Sequence, residues 1–321
     1  MAGVNIAGCD LGVGTDGSFS PSDFDKMYGC PTSVGPPQMQ HFSDVDKFNV
    51  FRIPAPWQSF VGNNLEADPV QLDDTFMNQY DGILQSCLSL GASCIIDIHN
   101  YARWWGQIVN QGGPESVKLA QTWARLAERY ASNEKVIFGI MNEPHDLDIN
   151  NWAGVVQDAV TAIRNAGATS QTILLAGTSF ASAGGFGDQS GPALSGVKNP
   201  DGSVDNLVYE VHQYFDSDTS GTHTECSVDN AGTFSALGDY LRGAGRKAFV
   251  GEIGGGDNQG CYDLIGASLD VINQYSDVYL GWTSWAAGNW WPEYELNELP
   301  NDDGSDKGII SQCFAAKFTP S

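Results

Sequence analysis

The sequence predicts an α/β protein built as a closed (β/α)8 (TIM) barrel, a single domain over residues 1–321. Three observations predict it. Eight apolar, β-branched runs recur along the chain, helical patterns alternate with them, and no low-complexity linker divides the series. Eight such units in roughly 300 residues suit a closed barrel better than an open doubly wound sheet. With 321 residues and 41% apolar content the chain can bury a full core.

The first two strands are read at residues 4–7 and 50–53. A helix follows, entered at Asp73-Asp74-Thr75, with Leu72, Phe76, Ile83, Leu84, Cys87 and Leu88 on one face. The third strand is 93–98. Val117, Ala120, Trp123, Ala124, Ala127 and Tyr130 then mark a helix ahead of the fourth strand, 136–141. Val155, Val156, Ala159, Val160 and Ile163 mark the next helix, which Gly167 ends. Strands five to eight are read at 172–176, 207–211, 248–251 and 279–285, and a last helix at 309–317. These strands are nearly continuous in hydrophobicity, as strands covered on both faces should be. The acidic segment 300–306 reads as a solvated loop.

The net charge of −24 makes nucleic acid and anionic membranes poor partners, since both carry the same sign. A solvated acidic surface explains the charge without a partner. No apolar run approaches the ~20 residues that span a bilayer. The chain runs from Met1 almost directly into the first strand, so any secretion signal is expected to have been removed and Met1 to have been added afterwards. Seven cysteines contain no C-x-x-C pair, which argues against zinc ribbons and thioredoxin-like redox chemistry. Cys87 and Cys94 bracket a helix end and a strand start, where a bridge would clamp the turn. An oxidising compartment is expected, and the odd count leaves one thiol without an internal partner.

In such a barrel the working residues stand at the C-terminal ends of the strands. Strand two ends with Arg52, strand three with His99, strand four with Asn142 and Glu143, strand six with His212 and Tyr214, strand seven with Glu252 and strand eight with Trp285. A carboxylate at the end of a buried strand is costly unless hydrogen-bonded, paired, protonated or functional. Two of them at one mouth are what acid/base chemistry needs. Other chemistries fit less well. His145-Asp146-x-Asp148 lacks metalloprotease spacing, and Gly177-Thr-Ser-Phe-Ala fails the nucleophile-elbow pattern at its last glycine. Gly254-Gly-Gly is no dinucleotide fingerprint, and no phosphate-binding loop occurs. No cofactor and no metal are expected.

Ile140-Met141-Asn142-Glu143-Pro144-His145 resembles the acid/base signature of glycoside hydrolase family 5, and Gly251-Glu252-Ile-Gly-Gly its nucleophile signature. The resemblance is specifically to the fungal endo-β-1,4-glucanases. It extends to Gln38-Met-Gln-His-Phe, Cys87-Leu-Ser-Leu-Gly-Ala, Asp97-Ile-His-Asn-Tyr-Ala-Arg-Trp, Thr161-Ala-Ile-Arg-Asn-Ala-Gly-Ala-Thr-Ser-Gln and Ser276-Asp-Val-Tyr-Leu-Gly. The resemblance implies a retaining hydrolase with Glu143 as acid/base and Glu252 as nucleophile, ~5–5.5 Å apart. Arg52 would hold Glu252 ionised and Tyr214 would orient it. Asn142 would grip the sugar 2-hydroxyl, His99 and His212 would bond sugar and carboxyls, and Trp285 would carry the sugar face. Trp57, Trp104, Trp105, Trp290 and Trp291 lie in strand-end loops, where each either stacks on sugar rings or packs the loop core. Cys87–Cys94 and Cys226–Cys261 look like family bridges, with Cys9–Cys30 a third pair and Cys313 unpaired. The implied protein is secreted, monomeric and acts on β-1,4-glucan. A β-mannanase of the same family and a non-catalytic sugar-binding barrel are the alternatives.

Overall fold

In the computed structural model, described over residues 1–22, 29–289 and 294–319, eight parallel strands form a closed ring. They are β1 (Ala2–Ala7), β2 (Val50–Ala55), β3 (Ser93–Ile98), β4 (Val136–Gly139), β5 (Ile173–Ala176), β6 (Leu207–Tyr214), β7 (Ala248–Gly254) and β8 (Tyr279–Gly288). Each pairs with its sequence neighbours, and β1 closes on β8 through pairs such as Ala2 with Trp282 and Val4 with Ser284.

Helices α1 (Gly35–Asp44), α2 (Asp74–Ser89), α3 (Ser116–Tyr130), α4 (Ile149–Asn165), α5 (Ala231–Ala244) and α6 (Gln259–Gln274) surround the ring. Asp73 caps α2 by accepting from the Phe76 amide, and Asp148 caps α4 by accepting from those of Asn150 and Asn151. The buried stripe of α3 is Leu119, Trp123, Leu126, Ala127 and Tyr130, while Val117 faces solvent. Between β5 and β6 only two four-residue helices form, Phe186–Gln189 and Gly191–Leu194. Glycines and Pro192 interrupt a longer helix there, and Gly191 has no room for a side chain, since a Cβ would meet the Tyr240 hydroxyl at 2.2 Å. The chain's last helical segment starts as a π-helix at Ile309–Phe314 and continues as Ala315–Lys317.

The bridges are Cys9–Cys30, Cys87–Cys94 and Cys226–Cys261, and Cys313 is free and buried. Among the described residues no helix is long and apolar enough to cross a membrane.

The barrel interior is layered by the two-residue period of its strands. Val50, Ile95, Ile137, Leu174, Val208 and Phe249 form an apolar floor separate from the strand–helix core. Two residues further along three of these strands stand Arg52, Asp97 and Glu210, all completely buried. Two residues beyond Asp97 and Glu210 come His99 and His212, and then Tyr214. Charge therefore sits directly on the floor and beneath the mouth.

Candidate active site

Arg52 is the hub of the mouth. Its guanidinium donates to Asn5 Oδ1 (3.0 Å), Glu252 Oε1 (2.9 Å) and Asn142 Oδ1 (2.8 Å). It also makes charge contacts, less well aligned than hydrogen bonds, with Asp97 Oδ1 at 3.1 Å and Glu210 Oε1 at 3.2 Å. Burial opposes a charge on Arg52, but Asp97, Glu210, Glu252 and Glu143 outweigh it and hold the guanidinium protonated.

Glu252 lies inside β7, which runs on to Gly254, beyond the expected end at 251. Its Oε2 accepts from the Tyr214 hydroxyl at 2.6 Å. Burial and the charge of Glu252 raise the Tyr214 phenol far above its ordinary range, so it remains a donor. Strand β4 stops at Gly139, two residues short of the expected end, and Glu143 follows with a positive φ of 42°. Such backbone is uncommon outside glycine and turns the Glu143 side chain toward the mouth. His212 Nδ1 lies 2.8 Å from Glu143 Oε1 and 3.7 Å from Glu252 Oε2. One oxygen of each glutamate and one His212 nitrogen all lie within 4.8 Å of one another.

Arg52 also fixes the orientation of Asn142. Because Asn142 Oδ1 accepts from Arg52, its Nδ2 is the atom facing His99 Nε2, at 3.1 Å. His99 Nε2 is then the acceptor, and its proton lies on Nδ1, shared with Asp97 Oδ2 at 2.8 Å. Burial works against a second proton while Asp97 and Asp10 favour one. The carboxylates win and raise the ring's basicity, although a second proton would point at the Asn142 amide hydrogens. Trp285 stacks on His99 at 5.7 Å and 14°, and its Nε1 donates to the Tyr294 hydroxyl.

Arg52, His99, Asn142, Glu143, His212, Tyr214, Glu252 and Trp285 thus meet at one mouth. The other tryptophans divide. Trp57 is fully buried, with its Nε1 donating to Thr122 and its ring edge-on to Trp104. It packs the loop core and offers no face to a sugar, which corrects its reading as a platform. Trp104 is half-buried against it. Trp105 is 41% exposed and its Nε1 donates to Asn63. Trp290 and Trp291 lie outside the described residues.

Sequence reasoning missed Asn5, Asp97, Glu210 and Phe180. The first three were legible as polar residues within apolar strands. Phe180 gave no periodic signal. It is 43% exposed and stacks on His145 at 4.1 Å and 11°. With Glu143, His212, Tyr214 and Thr219 it lines a cavity of about 350 Å³. A hollow of about 470 Å³ between Gly184–Gly187 and Tyr240 brings together no pair of titratable groups comparable to this.

Among the described residues two further clusters bring carboxylates to an imidazole. His41 bonds Asp306 at 2.7 Å beside Asp46. Asp216 accepts from the Gly221 and Thr222 amides, Ser220 Oγ and His223 Nδ1, with Asp218 nearby, and so organises its own loop. His145 bonds Thr15 O and Asp146, which fits loop polars better than a metal ligand.

The sequence matches the cellulase family, glycosyl hydrolase family 5, over residues 14–288. The chain belongs to glycoside hydrolase family 5. It is 49% identical to endoglucanase EG-II of Hypocrea jecorina, over 99% of this chain and 78% of that protein. It is 44% identical to endoglucanase 1 of Saitozyma flava, over 100% of this chain and 89% of the relative. The crystal structure of Cel5A (EG2) from Hypocrea jecorina superposes with a TM-score of 0.94 at 48% identity, covering 99% of this chain and 98% of that one. The chain is therefore a glycoside hydrolase.

Proposed function

We propose that this glycoside hydrolase is a retaining endo-β-1,4-glucanase in which Glu143 is the acid/base and Glu252 the nucleophile. The observation that carries the mechanism is the separation of the two carboxylates. Oxygens within 4.8 Å suit direct attack on the anomeric carbon, whereas inverting pairs stand ~6.5–9.5 Å apart to admit a water. Glu143 gives its proton to the glycosidic oxygen as Glu252 attacks the anomeric carbon, forming a glycosyl ester and releasing the leaving chain. Glu143, now a carboxylate, takes a proton from water, which attacks the same carbon and frees Glu252. Arg52 and Tyr214 hold the two Glu252 oxygens and so aim one at the sugar. Asn142 uses one amide hydrogen on His99, and its other is available to a sugar 2-hydroxyl. Trp285 carries the ring being cleaved.

The endoglucanase and endo-β-1,4-glucanase names of the relatives support β-1,4-glucan as substrate. Three disulfides agree with an oxidising setting. The cavity beside Glu143 lies where the leaving chain emerges, and Phe180 is its exposed aromatic wall. Phe180→Ala should raise KM for the polymer about 5- to 10-fold, the size of one lost aromatic contact, with kcat nearly unchanged.

The deciding experiment follows carboxymethylcellulose, barley β-glucan and mannan with product sizing and early proton NMR. The viscosity of carboxymethylcellulose should fall well before reducing ends accumulate, and the β-anomer should appear first. An initial α-anomer would mean inversion, and faster cleavage of mannan would make the enzyme a mannanase. Unchanged viscosity for both wild type and Glu143→Gln would leave a sugar-binding barrel.

A further inference from the structure

One layer below the catalytic pair stands a carboxylate that no step above uses. Glu210 is completely buried on β6, two residues after Val208 of the apolar floor and two before His212. Its Oε1 lies 3.4 Å from His212 Nε2 and 3.2 Å from Arg52 Nε, and its Oε2 meets no donor among the described residues. Such burial is costly and would not be needed merely to fill space.

The neighbouring strand makes room for it. Val211 pairs with Val250 but His212 pairs with Glu252, so β7 carries one extra residue, Gly251. This bulge aims Glu252 into the mouth. A Cβ on Gly251 would come within 2.3 Å of Glu210 Oε1 and 2.8 Å of His212 Nε2. The residue beside the nucleophile therefore lacks a side chain where the Glu210–His212 pair sits.

We propose that Glu210 is a positioning residue of the reaction, acting through His212, which it holds as an imidazolium with the Nδ1 proton turned to Glu143. The inference rests on Glu143 being the acid/base. A neutral ring with a bare Nδ1 could accept the proton that Glu143 must deliver to the leaving group. A ring between two carboxylates keeps both N–H groups as donors and cannot accept it. Its bond to Glu143 Oε1 leaves Oε2 to carry the acid proton. The groups facing the ring are Glu210 on its own strand, Glu143 after β4, Glu252 on β7 and, behind them, Arg52 on β2. Burial lowers the ring's basicity, but Glu252, Glu143 and Glu210 push it up to about 10.

The test compares Glu210→Gln and Glu210→Asp with wild type in the whole chain. Nitrogen-15 NMR of the wild-type His212 ring should show an imidazolium from pH 4 to pH 8. In Glu210→Gln the ring should lose a proton within that range. Its kcat should fall about 10- to 100-fold with little change in KM, the usual size for removing the carboxylate behind a functional histidine. The alkaline limb of kcat/KM should move to lower pH, because the charged ring is lost earlier, and Glu210→Asp should restore part of both. A Glu210→Gln enzyme with wild-type kcat and limb, or with an imidazolium up to pH 8, overturns the proposal. If that variant does not fold, Gly251→Ala keeps Glu210 but pushes the pair apart. It should show the same limb shift, and a wild-type profile would count against the proposal. Glu143→Gln serves as control: if it stays active on cellulose, the site assignment has failed instead.

Discussion

Glu252→Gln should abolish turnover, while Glu143→Gln should lose activity according to the leaving group. In the proposed mechanism Glu252 forms the covalent bond, and its amide cannot. By the scale of nucleophiles removed from other hydrolases, the loss in kcat should be about 10⁶-fold on every substrate. A general acid contributes about 10²- to 10⁴-fold, and only where the leaving oxygen needs a proton. Glu143→Gln should therefore lose that much on cellulose but much less in the first step with a dinitrophenyl cellobioside, whose phenolate leaves unaided. Its second step then lacks a base, so glycosyl-enzyme should accumulate and be visible by mass spectrometry. Added azide, which needs no base, should restore turnover of the aryl substrate and give a β-glycosyl azide. Azide added to Glu252→Ala should give the α-azide, since a single displacement remains. If the two variants exchange these behaviours, the roles of Glu143 and Glu252 are exchanged.

Arg52→Met should be the most damaging substitution for stability. Arg52 touches three buried carboxylates, Asp97, Glu210 and Glu252, and among the described residues no other arginine or lysine does. Removing one partner of a buried ion pair costs about 3–5 kcal/mol, because charge is left buried and uncompensated. The loss should depend on pH. Without the guanidinium, burial raises the carboxyl pKa values in the folded state above those of the unfolded chain. The folded variant then binds more protons than the unfolded chain at intermediate pH, and its stability falls as pH rises through that window. Urea unfolding at pH 4 and pH 8 should show the deficit relative to wild type growing toward pH 8. A deficit that is constant or shrinks with pH would mean that Arg52 contributes packing rather than charge balance.

The barrel and most of its mouth were legible in the sequence for one reason. A buried parallel strand is apolar along its length, so a polar residue near its end stands out, as Glu143, His212 and Glu252 do. Where β7 ends was less legible. Its bulge at Gly251 depends on what β6 puts opposite it, and a single strand's pattern does not contain its neighbour. Trp57 illustrates a second limit. A tryptophan in a strand-end loop reads alike whether it faces sugar or lies under Trp104, and only packing separates the two. Phe180 was missed because its placement depends on stacking over His145, 35 residues away in sequence. Asp97 and Glu210 were visible as charges in apolar runs, but reading strand ends alone passed over the layer beneath.

Arg52, His99 and Glu143 belong to the first half of the polypeptide, and His212, Tyr214, Glu252 and Trp285 to the second. A cut in the exposed turn near Asp201 and Gly202 would leave the proposed proton donor on one fragment and the proposed attacking group on the other. Neither half could complete a turnover by itself. Hydrolysis would return only when the two fragments found each other and zipped shut along both the β5–β6 and the β8–β1 edges, so this architecture is a natural scaffold for a split reporter.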